Sequence, residues 1–143
     1  MVEHAISDIE RRRAESLAAS ERHLAACEAK LAELENYHGA YTRQFQERAE
    51  VGIGGAGARD YQAFLARLAE AVRQQSLLVC RARTERDAER LSWQGAAQRA
   101  EVVGRLVKRW RTEEQRVVDR NEQRESDERA QRYSLQERAA HGA

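Results

Sequence analysis

The chain has 143 residues, 25 Lys and Arg against 24 Asp and Glu, a formal net charge of +1 at pH 7, 34% charged and 6% aromatic residues, and no proline. So few large apolar residues, with no proline-marked turn, exclude an ordinary compact core; richness in Ala, Glu, Arg, Gln and Leu favours long helices. The balanced charge argues against nucleic acid as a partner, and no apolar run reaches the roughly 20 residues that span a bilayer.

At the N-terminus, MVEHAISDIERRR has no apolar segment of the secretory-signal kind, which makes the cytoplasm the expected compartment. SDIE at residues 7–10 fits a capping box, with Ser7 as N-cap and Glu10 three residues on. Side chains then recur every seventh residue in two rows. Leu17, Leu24, Leu31, His38 and Phe45 form one row; Ser20, Cys27, Leu34 and Tyr41 form the other. Two rows offset by three residues are the seam of a heptad coiled coil, so the first helix is expected over residues 1–50.

VGIGGAGARD, residues 51–60, holds four of the eight glycines and satisfies G-x-G-x-x-G. That fingerprint binds a dinucleotide only when it follows a buried strand and opens a helix in a parallel sheet. Here the helical pattern RQFQERAE precedes it, no Val/Ile-rich strand occurs, and no Lys-Ser/Thr pair follows. The expected role is a Gly-rich turn over residues 51–60, because glycine tolerates the positive φ of helix ends and reversals.

Asp60 is a plausible N-cap for a second helix over residues 61–138, with residues 139–143 as a frayed tail. Its rows are Leu65, Val72, Val79, Arg86, Trp93, Ala100 and Val107, and Tyr61, Leu68, Gln75, Ala82, Glu89, Ala96, Val103, Trp110 and Val117. The seam is polar around Arg86 and Glu89 and apolar on either side. Neither helix can bury its stripe alone, so the fold class expected is all-α: one long antiparallel two-helix coiled-coil hairpin. Folding about the middle of the turn sets residue i opposite roughly 111 − i. Phe45 then meets Leu65, Leu34 meets Leu77 and Leu78, and Leu17 meets Trp93. Beyond Trp110 the second helix should overhang. Ser7, Ser16, Ser20, Gly95 and Gly104 sit in the open half, either for close helix approach or as a segment left soft until a partner grips it.

No chemistry-bearing constellation emerges. The carboxylates alternate with arginines at helical spacing, as in RTERDAER and RNEQRESDERAQR, which is the pattern of solvated faces. The four histidines have no metal-ligand spacing, and Cys27 and Cys80 read as reduced thiols. The expectation is a non-enzyme with no cofactor and no metal. Two surface groups remain. Tyr37 and Tyr41 on the first helix should meet Tyr61, Phe64 and Leu68 on the second beside the turn, either as packing or as a patch for a partner. Arg11, Arg12 and Arg13 should lie level with Arg99, Arg105, Lys108, Arg109 and Arg111 around Trp110, as a solvated face or a basic collar for an acidic protein surface. Residues 111–143 carry seven Arg and eight Asp/Glu, a near-neutral helix.

LAELENYHGAYTRQF before the glycines, YQAFLARLAEAVRQQ after them and SDERAQR near the end carry a family resemblance. With the spacings Tyr37-x-x-x-Tyr41, Tyr61-x-x-Phe64-x-x-x-Leu68 and Asp127-Glu128-x-Ala130, the chain resembles the FliJ family, a general component of the flagellar type III export apparatus. The resemblance implies an antiparallel two-helix coiled coil similar to the central stalk of rotary ATP synthases. It implies an open end that inserts into the hexameric export ATPase, promotes its assembly and activates it. It also implies a turn end that meets the cytoplasmic linker of the export-gate membrane protein, and the handling of export chaperones. By position, the gate-facing residues would be Leu34, Tyr37, Tyr41, Phe64, Leu68 and Ala71; Lys30 and Gln75, at the ends of that patch, depart from the family types. The ATPase-facing residues would be Arg11, Arg12, Arg13, Arg99, Arg105, Lys108, Arg109, Trp110 and Arg111. The implied location is cytoplasmic, at the inner-membrane base of the flagellum. The stalk of a virulence injectisome is the analogous alternative, although the aromatics beside the turn favour the flagellar form. A generic coiled-coil chaperone or adaptor, masking amphipathic segments of export substrates with the seam beyond Trp110, is another.

Overall fold

The computed structural model describes residues 2–142, and among these every regular element is helical: α1, Val2–Val51, and α2, Gly55–His141. The chain divides into two compact units, Ser7–Ala97 and residues 2–6 with 98–142.

Ser7–Ala97 is an antiparallel hairpin of α1 against the first half of α2. Its core is thin, because two helices can cover only one stripe on each other. Leu24 and Cys27 from α1 close on Val79 and Ala82 from α2, with Leu31 against them. Ala82 and Ala96 are each 1% exposed, the most covered side chains among the described residues. Every expected seam position of this unit, from Leu17 to Phe45 and from Tyr61 to Ala96, is buried or half-buried. The heptad spacing therefore selected the right faces of both helices. The polar layer lies where the sequence put it: Arg86 donates to Asp87 at 2.8 Å, and a buried Glu89 carboxylate oxygen has no hydrogen-bond partner among the described residues.

The reversal takes three residues, not ten. Gly52 has φ +97, a backbone state costly for a side-chain-bearing residue, and its N–H donates to the Arg48 carbonyl at 3.0 Å. That bond closes α1 with a left-handed glycine cap. Gly54 then serves as N-cap, its carbonyl accepting from the Ala58 N–H at 2.9 Å. Ile53 lies over Gly57, where a Cβ would sit 3.4 Å from Ile53 Cγ1. Ser7 and Asp60, expected as N-caps, lie inside helices instead, because helix extension is cooperative once a stripe is anchored.

The shorter turn moves the register. Its centre falls at residue 53 instead of between 55 and 56, which shifts the facing partner by about five residues. Phe45 accordingly packs against Tyr61 with the rings tilted by 31°, and Gln75 donates to the Cys27 carbonyl at 3.0 Å. The Trp93 indole N–H donates to Glu10 at 3.0 Å. Leu77 and Leu78, expected opposite Leu34, are exposed on the outer face.

In the other unit, Arg111 reaches Glu3 at 3.4 Å and Ile6, Ala100, Val103, Gly104 and Val107 are half-buried. From Lys108 to Gly142 every residue is exposed. Local pairs support this stretch of α2: Arg129 with Glu125 at 3.7 Å, Arg132 with Glu128 at 3.9 Å, and Gln123 donating to Asp127 at 3.1 Å. A Cβ on Gly104 would meet nothing within 4 Å, so this glycine serves no close approach.

Two substitutions of the same type should therefore move stability in opposite directions. Gly52→Ala should lower unfolding stability by about 1–2 kcal/mol through its positive φ. Gly104→Ala should raise helix stability by about 0.5–1 kcal/mol, because the space is open and the backbone helical. Thermal melts followed by circular dichroism check both; a stabilising Gly52→Ala would contradict this account of the turn.

Candidate functional site

The turn end of the hairpin carries a chain of aromatic rings. Tyr41, half-buried on the seam, sits at its centre. Phe64 meets it edge-on with centroids 4.9 Å apart, and Tyr37 stacks beside it at 6.4 Å. Tyr61 closes the other side at 6.5 Å from Tyr41 and 5.5 Å from Phe45. The spacing i, i+4 on α1 and i, i+3 on α2 makes these contacts: each pair shares a helix face, and the antiparallel fold brings the faces together. Tyr37 remains 53% exposed and Phe64 41%, whereas Tyr41 and Tyr61 are half-buried. The outer rings flank the seam and the inner ones fill it. Leu34, Leu68 and Ala71 are half-buried and continue the same surface.

Sequence reasoning missed what holds this cluster in place. The Tyr61 hydroxyl donates to Gln44 Oε1 at 2.9 Å, and the Arg48 guanidinium lies 5.6 Å over the Tyr61 ring. Both partners are polar residues on the exposed side of α1, and nothing in their spacing marks a cross-helix role. Of the two residues that depart from the family types, Lys30 is exposed, and Gln75 forms the bond to the Cys27 carbonyl, a contact internal to the hairpin. Cys27 is buried with Sγ 3.7 Å from His23 Nε2, and Cys80 is exposed; both are free thiols.

The expected basic residues fall in both units. Arg11, Arg12 and Arg13 belong to the hairpin, where all three are exposed and Arg11 pairs with Asp8. Arg99, Arg105, Lys108, Arg109 and Arg111 belong to the other unit and are exposed as well. Arg105 pairs with Glu101, and Arg111 with Glu3 at 3.4 Å. Exposed pairs of this kind contribute little to stability and are easily exchanged for a partner's carboxylates. Arg105, Lys108, Arg109 and Arg116 line one groove on α2 with Thr112 and Glu113. A second groove on the same helix is lined by Trp110, Glu113, Glu114, Val117 and Val118. Trp110 is 59% exposed, and Leu106, Val117 and Val118 are exposed with it. Val107 is thus the last seam position of α2 with a half-buried side chain, and apolar residues continue past it uncovered.

Among the described residues no group of three or more His, Cys, Asp or Glu side chains is placed to hold a metal. Nor, among the described residues, is any helix long and apolar enough to cross a membrane. Fold and surfaces together define an all-helical coiled-coil protein with exposed aromatic and basic side chains. Within that class the chain belongs to the FliJ family: the family model described as Flagellar FliJ protein matches residues 4–139, nearly its full length. It is accordingly a component of the flagellar export apparatus, of a family that is non-catalytic. No curated protein and no solved structure matches it.

The division between inner and outer rings makes a stability prediction. Tyr41→Ala should cost about 2 kcal/mol, because it removes three ring contacts from the seam. Tyr37→Ala combined with Phe64→Ala should cost about 1 kcal/mol or less and leave the far-ultraviolet circular dichroism helical. Urea denaturation measures both. If the double variant unfolds as readily as Tyr41→Ala, the outer rings are core.

Proposed function

We propose that this chain is the non-catalytic stalk of the flagellar type III export apparatus, binding and activating the hexameric export ATPase and coupling it to the export gate. The observation that carries the reading is the seam of α2. It is buried or half-buried up to Val107 and then continues exposed through Trp110 and Val117, with exposed Leu106 and Val118 flanking it, beside Arg105, Lys108 and Arg109. An apolar stripe flanked by cations suits insertion into a protein collar with an acidic rim. The cations speed encounter, and the stripe supplies the buried contact. Arg11, Arg12 and Arg13, exposed in the hairpin unit, are proposed in their own right as ATPase-facing cations.

Activation needs no catalytic group on the stalk. A chain that binds the assembled ring better than free subunits shifts the assembly equilibrium toward the ring by mass action. At the turn end, Leu34, Tyr37, Tyr41, Phe64, Leu68 and Ala71 form the surface for the cytoplasmic linker of the gate protein. Large rings with one face exposed are well suited to anchor an interface. The chain would then work in the cytoplasm at the inner-membrane base of the flagellum and hand export chaperones between these partners. The uncovered Trp110–Val118 stripe also suits a second reading, an adaptor that masks an amphipathic segment of an export substrate or chaperone.

Titrating the purified chain into its cognate export ATPase should raise both the hydrolysis rate and the hexamer fraction to a plateau. Arg105→Glu with Arg109→Glu should weaken that binding about tenfold, with the gap widening at low salt. Tyr37→Ala with Phe64→Ala should weaken gate binding and leave ATPase activation intact. A flat ATPase titration contradicts the stalk, and a flat titration with retained binding to export substrates would favour the adaptor.

A further inference from the structure

The two seven-residue rows of α2 continue beyond Val107 into the stretch where no side chain is covered. One row runs Glu114, Asn121, Glu128, Leu135, and the other Val117, Arg124, Gln131, Arg138. In an antiparallel coiled coil, each residue of one row faces a residue of the other row on the partner helix. With a two-fold axis level with Ser126, Glu114 faces Arg138, Val117 faces Leu135, Asn121 faces Gln131 and Arg124 faces Glu128. The symmetry repeats every layer once more. All four layers match in kind: acid with base, apolar with apolar, amide with amide.

Other arrangements lose this match. A shift of one heptad in one direction sets Glu128 against Val117, and in the other direction Leu135 against Arg124. A parallel in-register pair stacks Glu114, Glu128, Arg124 and Arg138 each on its own copy, which places like charges in the seam. Charge complementarity therefore selects both the partner and its direction. We infer that residues 114–138 of α2 are a docking surface for a second copy of this chain, paired antiparallel about Ser126. The Arg132–Glu128 pair at 3.9 Å within the single chain is exposed and gives way to the partner's Arg124 without a large penalty. Only the Val117–Leu135 layers are apolar, so the polar layers set register while the apolar ones supply little affinity. The dimer should be weak, with a dissociation constant on the order of 10–100 μM.

Sedimentation equilibrium of the full chain tests this. The protein should show a monomer–dimer equilibrium in that range. Glu114→Arg with Glu128→Arg should weaken self-association at least about tenfold, as should Arg124→Glu with Arg138→Glu, and an equimolar mixture of the two variants should recover it. Direction is read separately in a Cys80→Ser background, which leaves only the buried Cys27 as a native thiol. A chain with Asn121→Cys and a chain with Gln131→Cys should cross-link to each other on mild oxidation, and neither to itself. A wild-type chain that stays monomeric to about 1 mM overturns the inference. So does a dimer indifferent to the charge reversals, or an Asn121→Cys chain that cross-links to its own copy.

Discussion

Everything in this protein depends on one seam between two helices. Leu24, Cys27 and Leu31 on α1 meet Val79 and Ala82 on α2, and among the described residues no second layer lies behind them. Apolar burial is worth roughly 25 cal/mol per Å², and a stripe on each of two helices offers little area compared with a layered domain. Such a chain stays folded by repeating the same small contact every seven residues. It follows that the fold tolerates polar layers such as Arg86 and Glu89, since no single layer decides stability. It also follows that the turn must be tight: Gly52, in its left-handed conformation, and the capping Gly54 set which layer meets which. The glycines that resemble a nucleotide fingerprint are therefore a register device, and helices flank them on both sides.

The same economy separates structural from available surface. Where α2 has a partner helix, its seam is covered and its charges form an outer face. Past Val107 the rows run on with nothing over them, and Trp110 and Val117 occupy positions that would be buried in a longer hairpin. At the turn end the aromatic cluster is too large for the seam: Tyr41 and Tyr61 fill it, and Tyr37 and Phe64 are left at its edges. Surfaces of both kinds arise because the periodic pattern supplies more apolar side chains than two helices can cover. Exposed apolar side chains of this kind are the surfaces on which the proposed partners would be sought.

The sequence was most legible where periodicity spoke. The rows from Leu17 to Phe45 and from Tyr61 to Val107 named the half-buried faces, because a seven-residue repeat admits one geometry. The ring cluster of Tyr37, Tyr41, Tyr61 and Phe64 was legible for the same reason. Helix ends were not. Ser7 and Asp60 are good caps locally, yet both lie in the second turn of their helices; a cap worth about 1 kcal/mol does not stop a helix whose neighbours on both sides gain by continuing. A cluster of four glycines suggests one long loop, but Gly55 and Gly57 are helical, Gly54 caps α2 and only Gly52 takes a positive φ. The shorter turn displaces the register, so Phe45 meets Tyr61, and Leu77 and Leu78 are exposed instead of facing Leu34. The bonds from Tyr61 to Gln44 and from Trp93 to Glu10 were out of reach for another reason, since long polar side chains choose partners by final distance and leave no periodic trace.

The central claim is that the uncovered part of the α2 seam is where the export ATPase is gripped. Hydrogen exchange on the full chain, with and without that ATPase, tests it most directly. Alone, and dilute enough to be monomeric, the chain should exchange amides of Leu24–Leu31 and Val79–Ala82 slowly and those beyond Lys108 rapidly, because exposed helix opens at low cost. With the ATPase added, protection should rise across Leu106–Val118 and change little within Leu24–Leu31. Protection that leaves Leu106–Val118 untouched, or appears only in the hairpin, would contradict the account.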